Sequence, residues 1–346
     1  MSRAKNASGD LKGALKQKAK AKAVSTAKSK ISNHSGGGNR GGSNRGGRKN
    51  KSDKKSSKGI IIFLVLTVIV VGVAWYFDLI PDIGEPAVPA IVAVDGEAVL
   101  HFIDAGQSDA TLIITDAGTM LIDARNRSAG PAVVEYIQNL GLRELTYVVA
   151  THPHEDHIGG MDIVLNAFDV GMVLMPEVTH TTRTFERMID AIEDNHIPVR
   201  APEAGSTIQL GGAIFTVVGP NSDSYANLND WSLSLRMAFG ETSFIFTGDA
   251  ERIAELEMIA AGHYLRSDVL HVGHHGSRTS TAQEFLDAVA PSIAVIAVGE
   301  GNRYGHPHEE VMERLEAAGL NIYRSDYHGD IIITTNGTNM SVRTAR

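Results

Sequence analysis

The chain of 346 residues contains no cysteine. A disulfide framework is therefore excluded, and no thiolate can ligate a metal ion or act as a nucleophile. The absence fits an exported domain that avoids thiol oxidation. Many cytosolic proteins also lack cysteine, so this feature does not assign a compartment.

Lysine is absent after residue 58, which divides the chain electrostatically. Residues 1–58 hold 17 Lys and Arg against two acids, a net charge of about +15. The remaining 288 residues hold 15 arginines against 38 acids, a net charge of about −23. This asymmetry predicts two parts that work in different electrostatic settings.

Apolar side chains are scarce in residues 1–58, which are Lys/Ala-rich and then Gly/Ser/Asn/Arg-rich. Such a composition cannot offset chain entropy by burial, so it predicts a disordered basic tail. The tail's charge would suit anionic lipid headgroups or nucleic acid. The alternative is a tail that is only solvated.

Charge is absent from residues 59–77, a mostly apolar run of 19 residues. At about 1.5 Å per residue, a helix of this length nearly matches a bilayer core of about 30 Å. We therefore expect a transmembrane helix over 59–78. A cleaved signal peptide would have a shorter charged region and a shorter apolar core, and a buried core helix would not adjoin a disordered tail.

Flanking charges predict the orientation of this span. Lys54, Lys55 and Lys58 precede it, and every charged residue between the span and Arg125 is acidic. The positive-inside rule puts the N-terminal tail in the cytoplasm. A proline-containing linker at 79–95 then leads to an extracytoplasmic domain over 96–346, and the expected location is the cell membrane, with a single span.

Residues 96–346 show short apolar strand patterns that first pair as hairpins and later alternate with helical patterns. The predicted strands are 98–103, 111–115, 119–123, 145–150, 170–174, 213–218, 232–239, 243–247, 267–272, 293–298 and 330–335. The hairpin turns are expected near residues 117–118 and 240–241. This mixture predicts an α+β domain with two sheets covered by helices.

The densest cluster of chemically active residues follows the apolar segment 145–150. His152, His154, Asp156 and His157 form a His-x-His-x-Asp-His run. Neutral imidazoles favour zinc, copper, iron or nickel, and added carboxylates widen the choice toward manganese. The run indicates a divalent-metal centre, and the alternative is a polar loop that happens to be rich in histidine.

Two later strand patterns also end in polar residues. The segment FIFTGD ends in Asp249, and VLHVGHHGS ends in His274, His275, Gly276 and Ser277. Either motif alone is weak evidence for a metal site, because a Gly-Asp pair, for example, often marks only a turn. Three strand ends that carry histidine and aspartate together are what a shared metal site between two sheets requires.

In combination these residues resemble the metallo-β-lactamase fold superfamily, and within it the hydrolase domain of ComEC DNA-uptake proteins and their free-standing relatives. The matching strings are HFIDAGQSDA at 101–110, MLID at 120–123, the run at 152–157, DWSLSLR at 230–236, FTGD at 246–249, VGHHGS at 272–277 and NRYGHPH at 302–308. The resemblance implies a four-layer αββα sandwich with metals along one sheet edge.

The resemblance also implies roles for individual residues. It makes His152 and His154 ligands of one metal, Asp156 and His157 ligands of a second, and Asp249 a carboxylate that bridges both. One of His274 and His275 is expected to be the second metal's last ligand, and not both, because neighbours on a strand face opposite sides. His275 is favoured as that ligand and His274 as a proton donor or substrate contact.

Other residues near these motifs have secondary expected roles. His306 is expected to line the site, and Ser277 is a further candidate donor. Ser277, Asn229 and Asp230 are expected substrate contacts. Asp156 and Asp249 are expected to orient the attacking hydroxide. Asp109 and Gln107 either sit beneath the metals or only close a turn.

One departure from the family pattern affects the first metal. Most members of the superfamily supply a further histidine there, but the corresponding stretch reads LNDWS at 228–232. The first site is then expected to be weaker, or completed by Asn229, Asp230 or water. The expected cofactors remain two divalent ions, zinc or manganese.

The resulting functional expectation is a membrane-anchored, outward-facing hydrolase in which a metal-bound hydroxide attacks a phosphodiester. ComEC suggests DNA as the substrate, but a domain near −23 repels a polyanion, so a smaller or cell-wall phosphodiester stays open. The alternatives are a lactone or β-lactam hydrolase and a non-catalytic, surface-anchored binding module.

Overall fold

The computed structural model describes Ala93, residues 96–104 and residues 106–346. The predicted tail (1–58), transmembrane helix (59–78) and most of the linker (79–95) lie outside the described residues. Within the described part of the chain, no helix is both long and apolar enough to span a bilayer. The proposed division into tail, span, linker and domain therefore stays a prediction.

The first sheet has eight strands: β1 (Ala98–Phe102), β2 (Thr111–Thr115), β3 (Gly118–Ile122), β4 (Glu144–Val149), β5 (Asp169–Leu174), β6 (Val199–Arg200), β14 (Ile331–Thr335) and β15 (Met340–Thr344). Their order across the sheet is β15-β14-β1-β2-β3-β4-β5-β6. Strands from β15 to β3 pair antiparallel, and those from β3 to β6 pair parallel.

The second sheet has seven strands: β7 (Thr207–Leu210), β8 (Ala213–Gly219), β9 (Ser234–Phe239), β10 (Thr242–Phe246), β11 (Val269–His271), β12 (Ile293–Ile296) and β13 (Asn321–Arg324). Their order is β13-β12-β11-β10-β9-β8-β7. Here the strands from β7 to β10 pair antiparallel, and those from β10 to β13 pair parallel.

Eight helices connect these strands in the described part: α1 (Gly130–Asn139), α2 (Glu155–Ile158), α3 (Met161–Ala167), α4 (Arg183–Asp194), α5 (Arg252–Ala260), α6 (Gln283–Val289), α7 (Glu309–Ala317) and α8 (Ser325–His328). Local sequence sets their ends. At the start of α4, for example, the Thr182 hydroxyl accepts a hydrogen bond from the backbone N–H of Phe185 and caps the helix.

Side-chain alternation along the strands separates the cores. On β3, Met120 and Ile122 enter the core between the two sheets, whereas Leu121 packs outward against Val133 and Ile137 of α1. A third cluster lies between the second sheet and helices α5, α6 and α7. Three apolar layers thus hold a helix–sheet–sheet–helix arrangement, and the predicted α+β fold with two sheets is confirmed.

The parallel strands position the polar motifs. β3 and β4 run parallel in the first sheet, and β10, β11 and β12 run parallel in the second. Parallel neighbours end at the same edge of a sheet, so the loops after them lie side by side. Each of the polar motifs predicted from the sequence follows one of these strands.

Candidate metal centre

The loop after β4 carries the first group of imidazoles. His152 is buried, and its Nε2 lies 2.9 Å from Nδ1 of the half-buried His154. His154 has an extended backbone and precedes α2, a single turn that contains Asp156 and His157. The turn directs His157 inward, where it is completely buried, and leaves Asp156 at the edge of the site.

Four buried residues from four separate loops converge beside this turn. Asp109, His157, Asp249 and His275 each offer one ligand atom, and these atoms all lie within 4.8 Å of one another. Asp156 is not a member of this group, but its Oδ2 is 3.4 Å from His275 Nε2. Asp109 therefore lies against the cluster, and does not only close a turn.

Four buried side-chain atoms of this group have no hydrogen-bond partner among the described residues. They are Asp109 Oδ1, His157 Nε2, Asp249 Oδ1 and His275 Nε2. A buried polar atom without a partner costs free energy, about 1–3 kcal/mol for a neutral group and more for a charged one. Three of these atoms, His157 Nε2, Asp249 Oδ1 and His275 Nε2, lie close together and fit a bound cation, because a cation would satisfy them.

His152, His154 and Asp249 form a second set of mutually close ligand atoms. No further His, Asp or Glu joins this set among the described residues. Near it, the Ser232 hydroxyl accepts a hydrogen bond from Asp249 N and lies 3.4 Å from His152 Nδ1. The stretch at 228–232 thus supplies a serine contact behind His152, and no imidazole.

Asp249 belongs to both sets. Its Oδ1 is 3.1 Å from His157 Nε2, and its Oδ2 is 3.6 Å from His152 Nε2. It follows β10 through Gly248, which has φ +52°, and a Cβ there would lie 3.0 Å from the Ser232 hydroxyl. A glycine is therefore required for the turn that directs this carboxylate into the site.

Hydrogen bonds behind the imidazoles fix which nitrogen faces the centre. His157 Nδ1 lies 2.7 Å from Asp123 Oδ2, and His275 Nδ1 donates to the carbonyl of Ala297 at 2.8 Å. Asp123 in turn accepts from the backbone N–H and the hydroxyl of Thr151. With both Nδ1 atoms engaged, the Nε2 atoms are left as ligands, an orientation that metal-binding histidines commonly show.

The backbone at the histidine pair differs from the expected strand end. β11 ends at His271, and His274 and His275 lie in a tight turn with φ values of 51° and 54°. Left-handed backbone is uncommon for residues other than glycine, and two in succession indicate a constrained turn. The turn, and not strand alternation, buries His275 and leaves His274 partly exposed, with its Nε2 3.6 Å from Asp249 Oδ2.

The pKa directions indicate a strongly electronegative centre. Burial works to lower the pKa of His157, but Asp249 and Asp123 outweigh it and raise this pKa well above the usual value. Burial likewise opposes a charge on His275, yet Asp109, Asp156 and Asp249 raise its pKa to about 9. The carboxylates therefore attract positive charge, as a cation site requires.

An open cleft of about 340 Å³ lies over both groups, lined by Gln107, His154, Glu155, Asp156, Asn229, Asp249, His274, His275, Tyr304 and His306. In it, the Gln107 amide Nε2 donates to His306 Nδ1 at 3.3 Å, which leaves the proton of a neutral imidazole on Nε2. Burial and the imidazoles of His275 and His274 lower the pKa of His306 to about 4.

The remaining predicted contacts lie in different positions. Asn229 lines the cleft and its Nδ2 donates to Glu251 Oε1. Ser277 and Asp230 are not among the residues that line it: Ser277 bonds to the Thr279 hydroxyl, and Asp230 Oδ1 accepts from the backbone N–H of Glu251. These two residues hold neighbouring loops in place, and their role as substrate contacts stays a prediction.

The sequence predicted no role for Asp123, and it left two roles open for Asp109. Both carboxylates lie in the quoted strings at 101–110 and 120–123, directly after or near a strand end. That position was the available signal for both residues. Tyr304 lies in the string at 302–308 and was not singled out either.

Comparisons with known proteins agree with this geometry. Residues 103–300 match the family model described as Metallo-beta-lactamase superfamily. ComE operon protein 3 of Bacillus subtilis is 30% identical over 69% of this chain and 33% of its own length. Recombination protein 2 of Haemophilus influenzae is 28% identical over 70% of this chain and 30% of its own length, and Competence protein ComA of Neisseria gonorrhoeae is 31% identical over 68% and 32%.

The chain therefore spans about a third of the length of these curated relatives. The family model covers more than half of the chain and includes the four loops that carry Asp109, His157, Asp249 and His275. The protein is a member of the metallo-β-lactamase superfamily, whose fold is typical of metal-dependent hydrolases, and its relatives are ComEC-like competence proteins.

Proposed function

We propose that this protein hydrolyses phosphodiester bonds with two divalent cations, zinc or manganese. The observation that carries the proposal is the Asp249 carboxylate, because its two oxygens face two separate groups of imidazoles. A carboxylate in that position suits a pair of cations about 3.5–4 Å apart, which is typical of enzymes that cleave phosphate esters.

The proposed ligands follow from the two groups. His152, His154 and Asp249 would hold the first cation, and His157, Asp249 and His275 the second, with Asp156 or Asp109 as a further oxygen ligand. The first group offers three donors among the described residues, fewer than the second. We therefore expect the first site to be the weaker one.

Bound cations would supply a Lewis acid and a water acidic enough to ionise near pH 7. The chain's own residues would supply positioning and hydrogen bonds. Asp156 and Asp249 border the cleft and would accept hydrogen bonds that orient the attacking water. His306, with its proton on Nε2, would donate a hydrogen bond to the leaving oxygen, and His274 would contact a phosphate oxygen.

Two further observations support a phosphodiester over a carbon ester. The cleft holds two imidazoles, His274 and His306, beyond the favoured ligands, and such donors suit an oxygen-rich anion. The relatives carry names from competence and recombination. A net charge near −23 beyond residue 58 disfavours a long polyanion, so we propose that the substrate is held locally at the cleft.

The test uses the purified full chain in detergent, loaded with Zn²⁺ or Mn²⁺, on bis-p-nitrophenyl phosphate, on single- and double-stranded oligonucleotides and on a chromogenic β-lactam. We expect metal-dependent cleavage of the phosphodiesters, abolished by Asp249→Asn and unchanged by Asp169→Asn, a matched change at an exposed aspartate. Cleavage of the β-lactam alone would favour the lactone or β-lactam alternative. Stable metal binding without turnover would favour a binding module.

We further propose that residues 59–78 anchor the protein in the cell membrane, with the basic tail inside and the metal centre outside. The charge pattern around the apolar run supports this topology. Protease added to intact cells should degrade the part with the metal centre and spare an epitope at the N-terminus. The reverse pattern, or recovery in the soluble fraction, would contradict the anchor.

A further inference from the structure

The wall of the cleft opposite α2 is a stack of flat groups. The rings of His275 and His306 are 6.3 Å apart at 24°, and those of His306 and Tyr304 are 5.6 Å apart, also at 24°. The Arg303 guanidinium lies 5.0 Å from the centre of the Tyr304 ring and donates to its hydroxyl. The stack leads from a metal-facing imidazole to the solvent.

The outer end of this stack is open. Tyr304 remains 49% exposed although its ring contacts His306. A second cleft of about 420 Å³, lined by Gln107, Asn126, Glu155, Asp156, Asn302, Arg303 and Tyr304, adjoins the first and shares four of its lining residues. Arg303 is the single arginine or lysine among the residues that line either cleft.

We propose that Tyr304 and Arg303 form a stacking platform for the nucleobase next to the scissile phosphate, so that the substrate is a nucleotide-containing phosphodiester. This rests on the proposed function of the metal centre. Aromatic rings and guanidinium planes are the groups on which unpaired bases stack, at about 1–3 kcal/mol per base. The domain is acidic and its proposed substrate is an anion, so charge alone would disfavour binding. Stacking on the platform would attract a nucleotide without a basic surface.

The geometry favours a base at a strand end or in a single strand. Within a duplex both faces of a base are already stacked, whereas the platform needs one free face. Asp156 and Tyr304 both line the two clefts, so a phosphate at the metal groups and a base at Tyr304 occupy adjacent spaces. A lipid or choline phosphodiester has no flat group for this surface.

A binding measurement without added metal tests the platform directly. The fluorescence of 2-aminopurine 5′-monophosphate is quenched on stacking, and it can be titrated with the full chain. We expect quenching that Tyr304→Ala weakens by about 5- to 100-fold in affinity, and that Tyr304→Phe largely retains. Tyr264→Ala is the matched control, since Tyr264 is 69% exposed and also carries an arginine, Arg236, at 4.8 Å, but lines neither cleft.

Turnover measurements then distinguish the stacking platform from the phosphodiesterase activity on which it rests. With metal present, kcat/KM is compared between thymidylyl-thymidine and its base-free analogue. We expect the wild type to prefer the base-containing substrate about tenfold, and Tyr304→Ala to bring the ratio near one. Equal rates on both substrates in the wild type, or a preference and quenching that survive Tyr304→Ala, would overturn the platform and leave a phosphodiesterase. Cleavage of neither substrate would remove the proposed function itself.

Discussion

The carboxylate of Asp123 lies 2.7 Å from Nδ1 of His157, directly behind the metal-facing nitrogen of that imidazole. Asp123 itself has a left-handed backbone with φ 58° and is held by both polar groups of Thr151. A buried carboxylate in this position orients the imidazole and increases its basicity as a ligand. Such partners act on metal affinity without touching the metal.

Asp123→Asn should weaken cation binding at the second site by about 10- to 100-fold, because the amide is a poorer acceptor for the His157 Nδ1 proton. Metal titration of the purified protein by calorimetry measures this change. The control is Asp116→Asn, at an exposed turn position. An affinity equal to that of the wild type would show that Asp123 does not orient His157.

Gly276→Ala should lower metal affinity as well as thermal stability, because the new Cβ would strain the backbone and also press on a neighbouring loop of the site. Gly276 has φ +80°, and a Cβ there would lie 2.5 Å from Pro307 Cβ, next to His306. Gly301→Ala is a matched control, because Gly301 has φ +61° with nothing within 4 Å of its Cβ. We expect both variants to lose thermal stability and only Gly276→Ala to lose metal affinity. Equal losses of both properties would contradict this role of Gly276.

His306→Asn should lower kcat by about 10²- to 10³-fold, the usual cost of removing one hydrogen-bond donor to the negative charge that develops in the transition state, because Asn has no atom in place of Nε2. Burial and the His275 and His274 imidazoles lower the pKa of His306 to about 4, so this ring should stay neutral from pH 5.5 to 8. Its NMR shifts should be constant over that range. His196→Asn, at an exposed histidine, should leave kcat unchanged. A His306 titration near pH 6.5 would contradict the assignment.

Stability should depend on pH through Glu255, a completely buried carboxyl on α5. Its oxygens accept hydrogen bonds from the backbone N–H groups of Thr281 and Ala282. Burial raises the pKa of Glu255 from 4.5 to about 8, although these amides and Arg314 act to lower it. The folded state then binds a proton that the unfolded state releases between about pH 4.5 and 8.

The free energy of unfolding contributed by Glu255 should therefore decrease as pH rises from about 4.5 to about 8, and be constant above that. Glu255→Gln cannot ionise, so it should remove this part of the slope. Urea denaturation of both proteins at pH 5, 7 and 9 measures the difference. If the difference between wild type and variant were the same at all three pH values, Glu255 would not be protonated in the folded state.

Much of the fold could be predicted from the sequence because buried strands have clear patterns. The segments 111–115 and 213–218 are apolar and bounded by turn residues, and they form β2 and most of β8. The missed strands are β6, β7, β13 and β15, and each one lies at an edge of its sheet. An edge strand is paired on one side only and is partly exposed, so its sequence need not be apolar.

For the metal centre, the sequence by itself determined which residue types are available and where the strands that carry them end. The absence of cysteine leaves imidazoles and carboxylates, and the run at 152–157 already indicates a metal. The sequence could not decide which of His274 and His275 is the metal ligand. Their placement depends on a left-handed turn that the spacing of the residues does not encode.

Tertiary structure alone decided which distant residues meet. Asp109, His157, Asp249 and His275 come from four loops of two sheets. Strands β1 and β3 run in the same direction because both pair antiparallel with β2, and β3 pairs parallel with β4, so the loops after β1 and β4 lie at one edge of the first sheet. The parallel pairing of β10 with β11 does the same for the other two loops in the second sheet. Tertiary packing likewise places Asp123 behind His157 and Tyr304 against His306. Distances between such residues arise from packing across the whole domain, and no local pattern of residues specifies them.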